Sequence, residues 1–433
     1  MQIPAAVGKA RRDGLVEEIG RVRSVIPERK GSRVPVLQRT DLLVPGFQAE
    51  FPVDHSSGQV HPGDSLVDQV RLLRDALEGE GYVTGLEEVT TVLLLLASRN
   101  WLVLAGPSGT GKSRIVAVLA KVLGGELHDI QVKPNWLTSE DTLGYYSENL
   151  RELVAGPLHN AVRRAERNPS VLHFVRLDEL NLASPEYYLA EVLSATENWE
   201  CDSAGRAWSD AIQMPPLPAG VDEGPLRVPD ELFLIGTVNV DETTQPLSPK
   251  VLDRAAVFEI RSIDLYARPN VGETSTSSGN LGGIIGLLRS RVHGLPPEAD
   301  EEVFVAVADA LEPINEYAPK LGGPIAFRQR DGIVALVYLA RTHGLDALLS
   351  VEDLIDIGIS AFVLPKWRGS NAGEVRALAM AAKYLVLGEL GGEAQPADQL
   401  RPAVKSARYS RSAERVVEML EQAEETGYFT AWR

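Results

Sequence analysis

Eight consecutive residues of this sequence combine the charge and the backbone flexibility needed to bind a polyphosphate. They follow the pattern G-x-x-x-x-G-K-[ST] and are Gly106, Pro107, Ser108, Gly109, Thr110, Gly111, Lys112 and Ser113. Glycines let backbone N–H groups approach phosphate oxygens without an intervening Cβ atom. In such a loop the lysine brings a positive charge to the β- and γ-phosphates, and the hydroxyl is placed to bind Mg²⁺. The pattern predicts these roles for Lys112 and Ser113.

The residues on either side supply the secondary structure that this loop requires. Trp101–Ala105 is an apolar run of strand length, and Arg114–Leu123 has helical periodicity and is closed by two glycines. A helix that begins near Gly111 directs its unpaired N–H groups and the positive end of its dipole at a bound anion. The alternative is a flexible turn that carries a Lys-Ser pair by chance. The strand and the helix favour a phosphate-binding loop.

Two carboxylates stand at the predicted end of another buried strand. The strand is Val171–Leu177, and Asp178 and Glu179 follow it directly. Ligands of open α/β sheets bind beyond the carboxyl ends of the strands. The pair therefore predicts a Mg²⁺ contact through Asp178 and a general base, Glu179, that polarises the attacking water. The alternative is a solvated acidic strand end without a catalytic role.

An amide follows the next apolar strand along the chain. Leu232–Val238 ends at Asn239, whose side chain can hydrogen-bond both a γ-phosphate and an attacking water without adding charge. Asparagine also favours strand ends because its side chain stabilises turns, so a turn residue is the alternative. The order of the strands favours the sensing role.

The pattern of elements predicts the fold that positions these residues. Strand and helix patterns alternate over residues 85–265 and predict an α/β domain, a P-loop NTPase parallel sheet with flanking helices. Residues 1–84 are predicted to form an N-terminal arm and a small helical or irregular region. Residues 266–283 are a predicted linker, rich in Gly, Ser and Thr. Helical patterns continue over residues 284–433, which predicts an all-α lid and C-terminal helices.

Three segments carry more specific predictions. Residues 1–40 hold nine basic and four acidic side chains and are expected to be a solvated, partly helical arm, with a contact to nucleic acid or an acidic partner as the alternative. Ser184–Trp199 is predicted as one helix, and residues 201–229, with five prolines, as a hairpin or irregular insertion.

Composition limits the class of protein. The chain has 433 residues and a net charge of −17, which argues against a broad nucleic-acid-binding surface but not against a local basic patch. A single cysteine, Cys201, excludes an intramolecular disulfide. The longest apolar run, Val92–Ala97, is too short to cross a bilayer, and no signal-peptide pattern is present, so the sequence predicts a cytoplasmic protein without a membrane partner. The seven histidines have no metal-binding spacing, so no structural metal site is predicted.

Three blocks of the sequence resemble the AAA+ nucleoside triphosphatases, and in particular the McrB-type branch used in modification-dependent restriction. The blocks are Leu104–Ser113, Leu177–Tyr188 and Ile235–Ala255, and the segment Trp136–Tyr146 is also similar. The resemblance covers residues 85–265, with weaker support through residue 390. It implies hydrolysis of ATP or GTP, Mg²⁺ as cofactor, and self-assembly into a ring that is a hexamer by analogy with the family.

The resemblance also implies two arginine roles. Arg254 matches the arginine finger that reaches the nucleotide of a neighbouring subunit, where a guanidinium neutralises charge in the transition state. Arg328 matches the start of the sensor-2 helix better than Arg330 does. The alternatives are a surface arginine on a short helix for Arg254, and local capping or pairing for the other two.

The sequence departs from the McrB signature after the third strand, where Thr243 replaces an arginine, which leaves the choice between ATP and GTP open. Residues 1–84 also offer no obvious room for the large N-terminal domain with which some relatives recognise modified DNA bases.

Trp136, Tyr145 and Tyr146 are expected to be core residues, with a pore or partner contact as the alternative.

The resemblance implies the motor subunit of a restriction or phage-defence system that works with a McrC-like nuclease subunit and contacts DNA mainly through it. One alternative is a MoxR-type ATPase that remodels protein complexes. Another is a nucleotide-gated scaffold with little turnover, against which Glu179 argues because a pure binder does not need that carboxylate.

Overall fold

The computed structural model of this chain describes the backbone of residues 16–23 and 33–39. It describes backbone and side chains in residues 65–202, 206–214, 224–240, 246–261, 266, 280–296 and 299–432. Contacts divide the chain into two units, Met1–Val60 and His61–Arg433. The domain limits expected at residues 84, 265 and 283 stay predictions.

The first unit contains a β-hairpin. Strands β1 (Val16–Arg23) and β2 (Arg33–Arg39) pair antiparallel, with a register shift between Glu18 and Gly20. The expectation of a partly helical arm is wrong for these residues. The physical reason is visible in the sequence of β2, Arg-Val-Pro-Val-Leu-Gln-Arg, because alternating β-branched residues favour an extended strand and an internal proline opposes a helix. The remainder of residues 1–40 lies outside the described residues.

The second unit begins with the α/β elements that carry the predicted loop. In chain order they are α1 (Leu66–Gly79), α2 (Leu86–Ser98), β3 (Trp101–Gly106), α3 (Lys112–Val122), β4 (Glu126–Gln131), α4 (Glu140–Leu143), β5 (Gly144–Ser147), β6 (Glu152–Ala155), α5 (Pro157–Arg167), β7 (His173–Asp178), α6 (Pro185–Tyr188), α7 (Ala190–Ala195), β8 (Trp199–Cys201), β9 (Ala207–Ile212), β10 (Leu226–Pro229), β11 (Leu232–Asn239), α8 (Pro249–Leu252) and β12 (Ala256–Glu259).

Helices follow these elements over most of the remaining chain. They are α9 (Gly282–Arg289), α10 (Glu301–Asn315), α11 (Phe327–Thr342), α12 (Val351–Gly358), α13 (Ala372–Leu387), α14 (Ala397–Leu400) and α15 (Ser410–Thr426). Two short strands, β13 (Arg368–Gly369) and β14 (Phe429–Thr430), pair antiparallel. The helical C-terminal region is as the sequence predicts. One difference is that α12 continues as a π-helical turn over Ile359–Val363.

The centre of the second unit is a parallel five-stranded sheet in the order β12-β3-β11-β7-β4. Side chains of a strand alternate between the two faces, and both faces are covered. Leu102 and Leu104 of β3 belong to the core shared with α1, α2, α3 and the C-terminal helices. Trp101, Val103 and Ala105 belong to the core on the other face, with α5 to α8. Burial on both faces explains why the central strand β3 is a continuous apolar run, whereas the edge strand β4 is largely polar. The predicted α/β fold class is confirmed.

The segment Ser184–Trp199 is not one helix as expected. It forms α6 and α7, separated at Leu189, where φ is −117° and ψ is 13°. The carbonyl of Tyr188 accepts a hydrogen bond from the Thr142 hydroxyl at 2.7 Å instead of continuing a helical ladder. Trp199 begins strand β8. A tertiary contact therefore overrides the helical pattern.

Two smaller antiparallel sheets extend from the core domain. Strands β5 and β6 form a hairpin in which Tyr145 pairs with Val154. Strands β8, β9 and β10 form a three-stranded sheet, so residues 201–229 contain the hairpin that was one of the two predicted possibilities. Among the helices that the structure describes, none is long and apolar enough to cross a bilayer.

Candidate functional site

The glycine-rich loop lies between β3 and α3, at the carboxyl edge of the sheet. Strand β3 is held between β11 and β12 and is buried along its length, so it provides a rigid base for the loop. Gly111 has a φ of +86° and precedes the first turn of α3, and a Cβ at this position would lie 3.1 Å from the Tyr82 ring. At Gly106, a Cβ would lie 2.6 Å from the carbonyl oxygen of Ile260. Both positions require glycine because of these close approaches.

The Lys112 side chain lies inside the loop. Its Nζ donates to the carbonyl oxygens of Gly106 at 2.9 Å and of Pro107 at 2.6 Å, and only 5% of the residue is exposed. The ammonium group is thus next to the N-terminal end of α3, where helical N–H groups and the helix dipole favour an anion. A buried cation and a helix N-terminus on one loop fit a polyphosphate ligand.

Four residues from three elements meet beside the loop. The Ser113 hydroxyl lies 2.5 Å from Oδ1 of Asp178, and the Thr237 hydroxyl donates to the same oxygen at 2.8 Å. The backbone N–H of Glu179 donates to the Thr237 hydroxyl at 3.0 Å. The two residues predicted to bind Mg²⁺ are therefore adjacent, and oxygen ligands of this kind suit that ion. Their roles stay predictions.

Thr237 is a part of this site that the sequence analysis missed. It is 3% exposed, and its hydroxyl ties Asp178, the last residue of β7, and Glu179, which follows it, to strand β11. The feature of the sequence that could have indicated Thr237 is its hydroxyl, which stands within an apolar strand two residues before Asn239. Because side chains on a strand alternate, Thr237 and Asn239 share a face of β11.

Glu179 has an uncommon backbone conformation. Its φ is +55° and its ψ is +51°, in the left-handed region that non-glycine residues seldom adopt. Strained residues of this kind cluster at functional sites, where the surrounding structure holds them. The turn leaves Asp178 half-buried and Glu179 exposed. An exposed carboxylate beside the loop can reach a water molecule, as the predicted base must.

Asn239 lies next to the start of the loop. It is the last residue of β11 and pairs with Gly106 of β3, and the N–H of Val240 donates to the Gly106 carbonyl at 3.2 Å. The sheet thus places Asn239 between the loop and the acid pair, which lies at the end of β7 on the other side of β11. The phosphate-sensing role stays a prediction. The segment that contains Thr243 lies outside the described residues.

Arg254 lies at the opposite edge of the sheet from the loop. It lies two residues before the start of β12, whose first residue, Ala256, pairs with Leu102 near the start of β3. The length of β3, at about 3.3 Å per residue, therefore separates Arg254 from the loop of its own chain. Its Nε donates to Leu193 O at 3.0 Å, its Nη1 donates to Lys250 O at 2.8 Å, and Glu197 pairs with the guanidinium.

Arg328 shares a cleft with Arg254. The cleft is also lined by Arg99 and Trp101, at the amino end of β3. Burial lowers the pKa of Arg254, and the positive charge of Arg328 lowers it further. Arg328 is exposed, whereas Arg330 stacks on Phe304 and Phe327 and pairs with Asp331. The structure thus brings the two predicted arginines together and places both away from the loop of the same chain.

Arg99 and Asp253 connect the two arginine segments. The Arg99 guanidinium donates to Asp253 O at 2.6 Å and to Arg328 O at 2.5 Å, and lies over the Phe362 ring at 4.7 Å. The Asp253 carboxylate accepts from Gln329 at 2.9 Å and pairs with Lys366. Burial lowers the pKa of Arg99 to about 10. The turn of Arg254 and the first turn of α11 are therefore one connected unit. No pattern in the sequence predicts this unit, because the residues that form it are distant in the chain.

The predicted aromatic segment divides between core and surface. Trp136 is buried and packs edge-on against Tyr188, with ring centroids 5.3 Å apart. Tyr145 is 49% exposed on the β5–β6 hairpin, and Tyr146 is half-buried. The core interpretation therefore holds for Trp136, and Tyr145 is available for a contact.

Comparison with protein families identifies the domain that contains this site. A family model described as an AAA domain of the dynein-related subfamily matches residues 101–255. Residues 101–255 are an AAA domain. The match extends from the start of β3 to the residue before β12 and so contains the loop, the acid pair, Asn239 and Arg254. A second model, described as a domain of unknown function, matches residues 291–429, beyond this AAA domain.

Three curated proteins are similar to parts of this chain. The Type IV methyl-directed restriction enzyme EcoKMcrB subunit of Escherichia coli K12 is 24% identical over 176 residues, which are 39% of this chain and 37% of that protein. The mycobactin import ATP-binding/permease protein IrtA of Mycolicibacterium thermoresistibile is 25% identical over 164 residues, 38% of this chain and 16% of that protein. The uncharacterized protein YojN of Bacillus subtilis is 29% identical over 100 residues, 22% of this chain and 30% of that protein. The chain thus spans less than two fifths of the length of each relative.

A solved structure also matches. It is of a Cytophaga hutchinsonii protein provisionally described as an ATPase, with 17% identity, a TM-score of 0.42, and coverage of 69% of this chain and 87% of that one.

Proposed function

We propose that this chain is a Mg²⁺-dependent nucleoside triphosphatase whose complete active site is shared between neighbouring subunits of a ring. The observation that carries the proposal is the separation of two groups of residues. Lys112, Ser113, Asp178 and Glu179 gather at the carboxyl edge of the sheet, whereas Arg254 and Arg328 share a cleft at the amino edge. In a ring, one subunit can present the arginine cleft to the loop of the next.

Each group has a distinct task in this proposal. The loop N–H groups and Lys112 bind the phosphates, and Ser113 and Asp178 hold Mg²⁺, which supplies positive charge to the phosphate oxygens. Glu179 accepts a hydrogen bond from the attacking water, and the Asn239 amide orients that water. Arg254 and Arg328 of the neighbour stabilise the negative charge that develops in the transition state.

Two substitutions test hydrolysis directly. Lys112→Ala removes the charge that holds the phosphates, so nucleotide binding should be lost. Glu179→Gln changes only the group that activates water, so binding should persist while turnover falls by roughly 10²- to 10⁴-fold. Fluorescent-nucleotide binding and phosphate release measure the two effects. Equal turnover in wild type and Glu179→Gln would show that Glu179 is not the base, and a wild type that binds but does not hydrolyse would favour the scaffold alternative.

The proposed biological role is that of the motor subunit of a McrBC-like restriction or phage-defence system. The similarity to the E. coli restriction subunit over 39% of this chain supports it. The proposed partner is a McrC-like nuclease subunit, through which the ring acts on DNA. Co-purification with the products of neighbouring genes tests this role. A nuclease subunit that binds and accelerates turnover supports it. Remodelling of a protein complex by the chain without any such subunit supports the MoxR-type alternative.

A further inference from the structure

Two histidines that are far apart in sequence meet on neighbouring strands, away from the nucleotide loop. His128 lies on β4 and His173 begins β7, and their rings stack with centroids 5.3 Å apart. Nε2 of His128 lies 3.0 Å from Nδ1 of His173. Glu126 is the register partner of His173, so its side chain projects from the same face of the sheet. The ligand atoms of the three residues lie within 4.8 Å of one another.

The hydrogen bonds of His173 determine which of its nitrogens can bind a ligand. Its Nε2 lies 2.9 Å from the carbonyl oxygen of Asn168. A carbonyl can only accept, so Nε2 carries the hydrogen and the neutral ring presents the lone pair of Nδ1 toward His128. Histidines that bind metals are usually oriented in this way, by donating the other ring N–H to a carbonyl or a carboxylate.

Asn168 also orients the carboxylate. Its Nδ2 donates to Oε1 of Glu126 at 3.0 Å, while Arg164 pairs with the other oxygen. An ionised carboxylate has about four acceptor positions, so these two bonds leave capacity for a cation. The Arg164 side chain is 67% exposed, and solvent therefore screens its charge. One residue at the end of α5 thus fixes both Glu126 and His173.

We propose that Glu126, His128 and His173 form a binding site for Zn²⁺, with a remaining position open to water or another ligand. Two imidazoles and one carboxylate are a donor set typical of zinc, whereas Mg²⁺ and Ca²⁺ prefer oxygen ligands alone. Tetrahedral zinc at its usual Zn–N distance separates two nitrogens by about 3.3 Å. The two ring nitrogens lie 3.0 Å apart and share a hydrogen bond that the ion would replace, and the ligand atoms, which lie within 4.8 Å of one another, would converge on the ion.

Burial holds the two rings in place. His173 is fully buried and His128 is half-buried. A bound ion would join β4, an edge strand of the sheet that the structure describes, to its neighbour β7 and, through Asn168, to the end of α5. The expected role is to stabilise this edge of the AAA domain.

Zinc binding to the full, untagged chain tests the proposal without nucleotide, so its outcome is independent of hydrolysis. After chelator treatment and dialysis, isothermal titration with Zn²⁺ should give one tight site per chain, and zinc should raise the midpoint of thermal unfolding. His128→Gln should abolish this site. Asn168→Ala keeps all three ligands and should weaken it by roughly 10- to 100-fold. The matched control is His343→Gln, at a half-buried histidine of the C-terminal helical region that faces Ser290, and it should bind zinc as the wild type does.

Equal zinc affinity in wild type and His128→Gln would overturn the proposal. Cobalt spectroscopy of the wild type gives a second measurement if His128→Gln does not fold. Co²⁺ bound by two imidazoles and a carboxylate in tetrahedral geometry gives an intense visible spectrum that zinc should abolish by displacement. A Co²⁺ spectrum that matches that of the free aqueous ion and that zinc does not change would show that the three residues do not bind the ion.

Discussion

Thr237 carries no charge, yet it connects the residues proposed to hold Mg²⁺ and to activate water. Its hydroxyl donates to Asp178 and accepts from the N–H of Glu179. The single group therefore restrains both the carboxylate of Asp178 and the strained turn at Glu179. Positioning of this kind matters because reacting groups must be held in place before the transition state forms.

We expect Thr237→Val to reduce turnover by roughly 10- to 100-fold while nucleotide affinity without Mg²⁺ stays unchanged. Valine keeps the shape of the side chain but leaves the Glu179 N–H without its acceptor. Steady-state hydrolysis and nucleotide titration with and without Mg²⁺ measure the two effects. The control is Thr90→Val, because Thr90 is equally buried and its hydroxyl bonds only within its own helix. Normal turnover in Thr237→Val would show that the hydroxyl does not position the acid pair.

Among the elements, strand direction decides which residues can act together. All five strands of the central sheet are parallel, so the loop, Asp178 and Asn239 lie at one edge. Arg254 precedes a strand and therefore lies at the other edge. The first turn of α11 is held at that same edge by Arg99 and Gln329.

We expect Arg99→Met to reduce turnover by about 10- to 100-fold, since a displacement of about 1 Å in a catalytic group is enough for such a loss. Methionine removes the donors that hold the carbonyls of Asp253 and Arg328. Nucleotide binding should be retained, because the loop is distant. Arg74→Met is a suitable control, since Arg74 pairs only with the adjacent Asp75 on the surface of α1. Unchanged turnover in folded Arg99→Met would exclude a positioning role.

If the proposed ring is correct, one subunit by itself does not contain a complete active site. Both arginines lie at the amino edge of the sheet, a strand length from the loop of their own chain, so under this proposal a subunit needs a neighbour to hydrolyse nucleotide. We expect turnover per subunit to rise with protein concentration, together with an increase in mass when nucleotide is added. Full turnover by a strictly monomeric preparation would contradict shared sites.

Subunit mixing provides a more specific test of the shared site. Arg254→Ala should bind nucleotide normally and hydrolyse it poorly. Lys112→Ala should neither bind nor hydrolyse, but it retains the arginine cleft. Mixed rings place an intact loop beside an intact cleft at some interfaces, so a mixture should regain part of the wild-type turnover. An Arg99→Met subunit mixed with Lys112→Ala should be rescued in the same way if its defect lies in the cleft, and should not be rescued if the subunit is misfolded.

The choice of nucleotide is a property of the whole binding region. We expect ATP to be hydrolysed at least as well as GTP, because the McrB signature is changed at Thr243 and ATP is the usual nucleotide of AAA+ proteins. Competition between the two nucleotides for hydrolysis measures the preference. A strong preference for GTP would refute the prediction.

The sequence by itself determined the α/β fold class and the residues of the loop edge. Gly106–Ser113, Asp178 and Asn239 each adjoin a mostly apolar strand, so the local pattern was enough to predict both the strands and their polar ends. Parallel strands then require these ends to meet. The helices of the C-terminal region could also be predicted from local sequence, because helical periodicity depends on residues close in the chain.

Only the tertiary structure decided which distant residues meet. Thr237 joins Asp178, Arg99 joins Asp253 to Arg328, and His128 meets His173 through strand order. Sequence spacing does not encode these contacts, because each depends on which strands and helices become neighbours. The same reason explains the break at Leu189, where the Thr142 hydroxyl donates a hydrogen bond to the Tyr188 carbonyl within the segment predicted as one helix. Local pattern thus determined the elements, and packing between elements determined the contacts of the site.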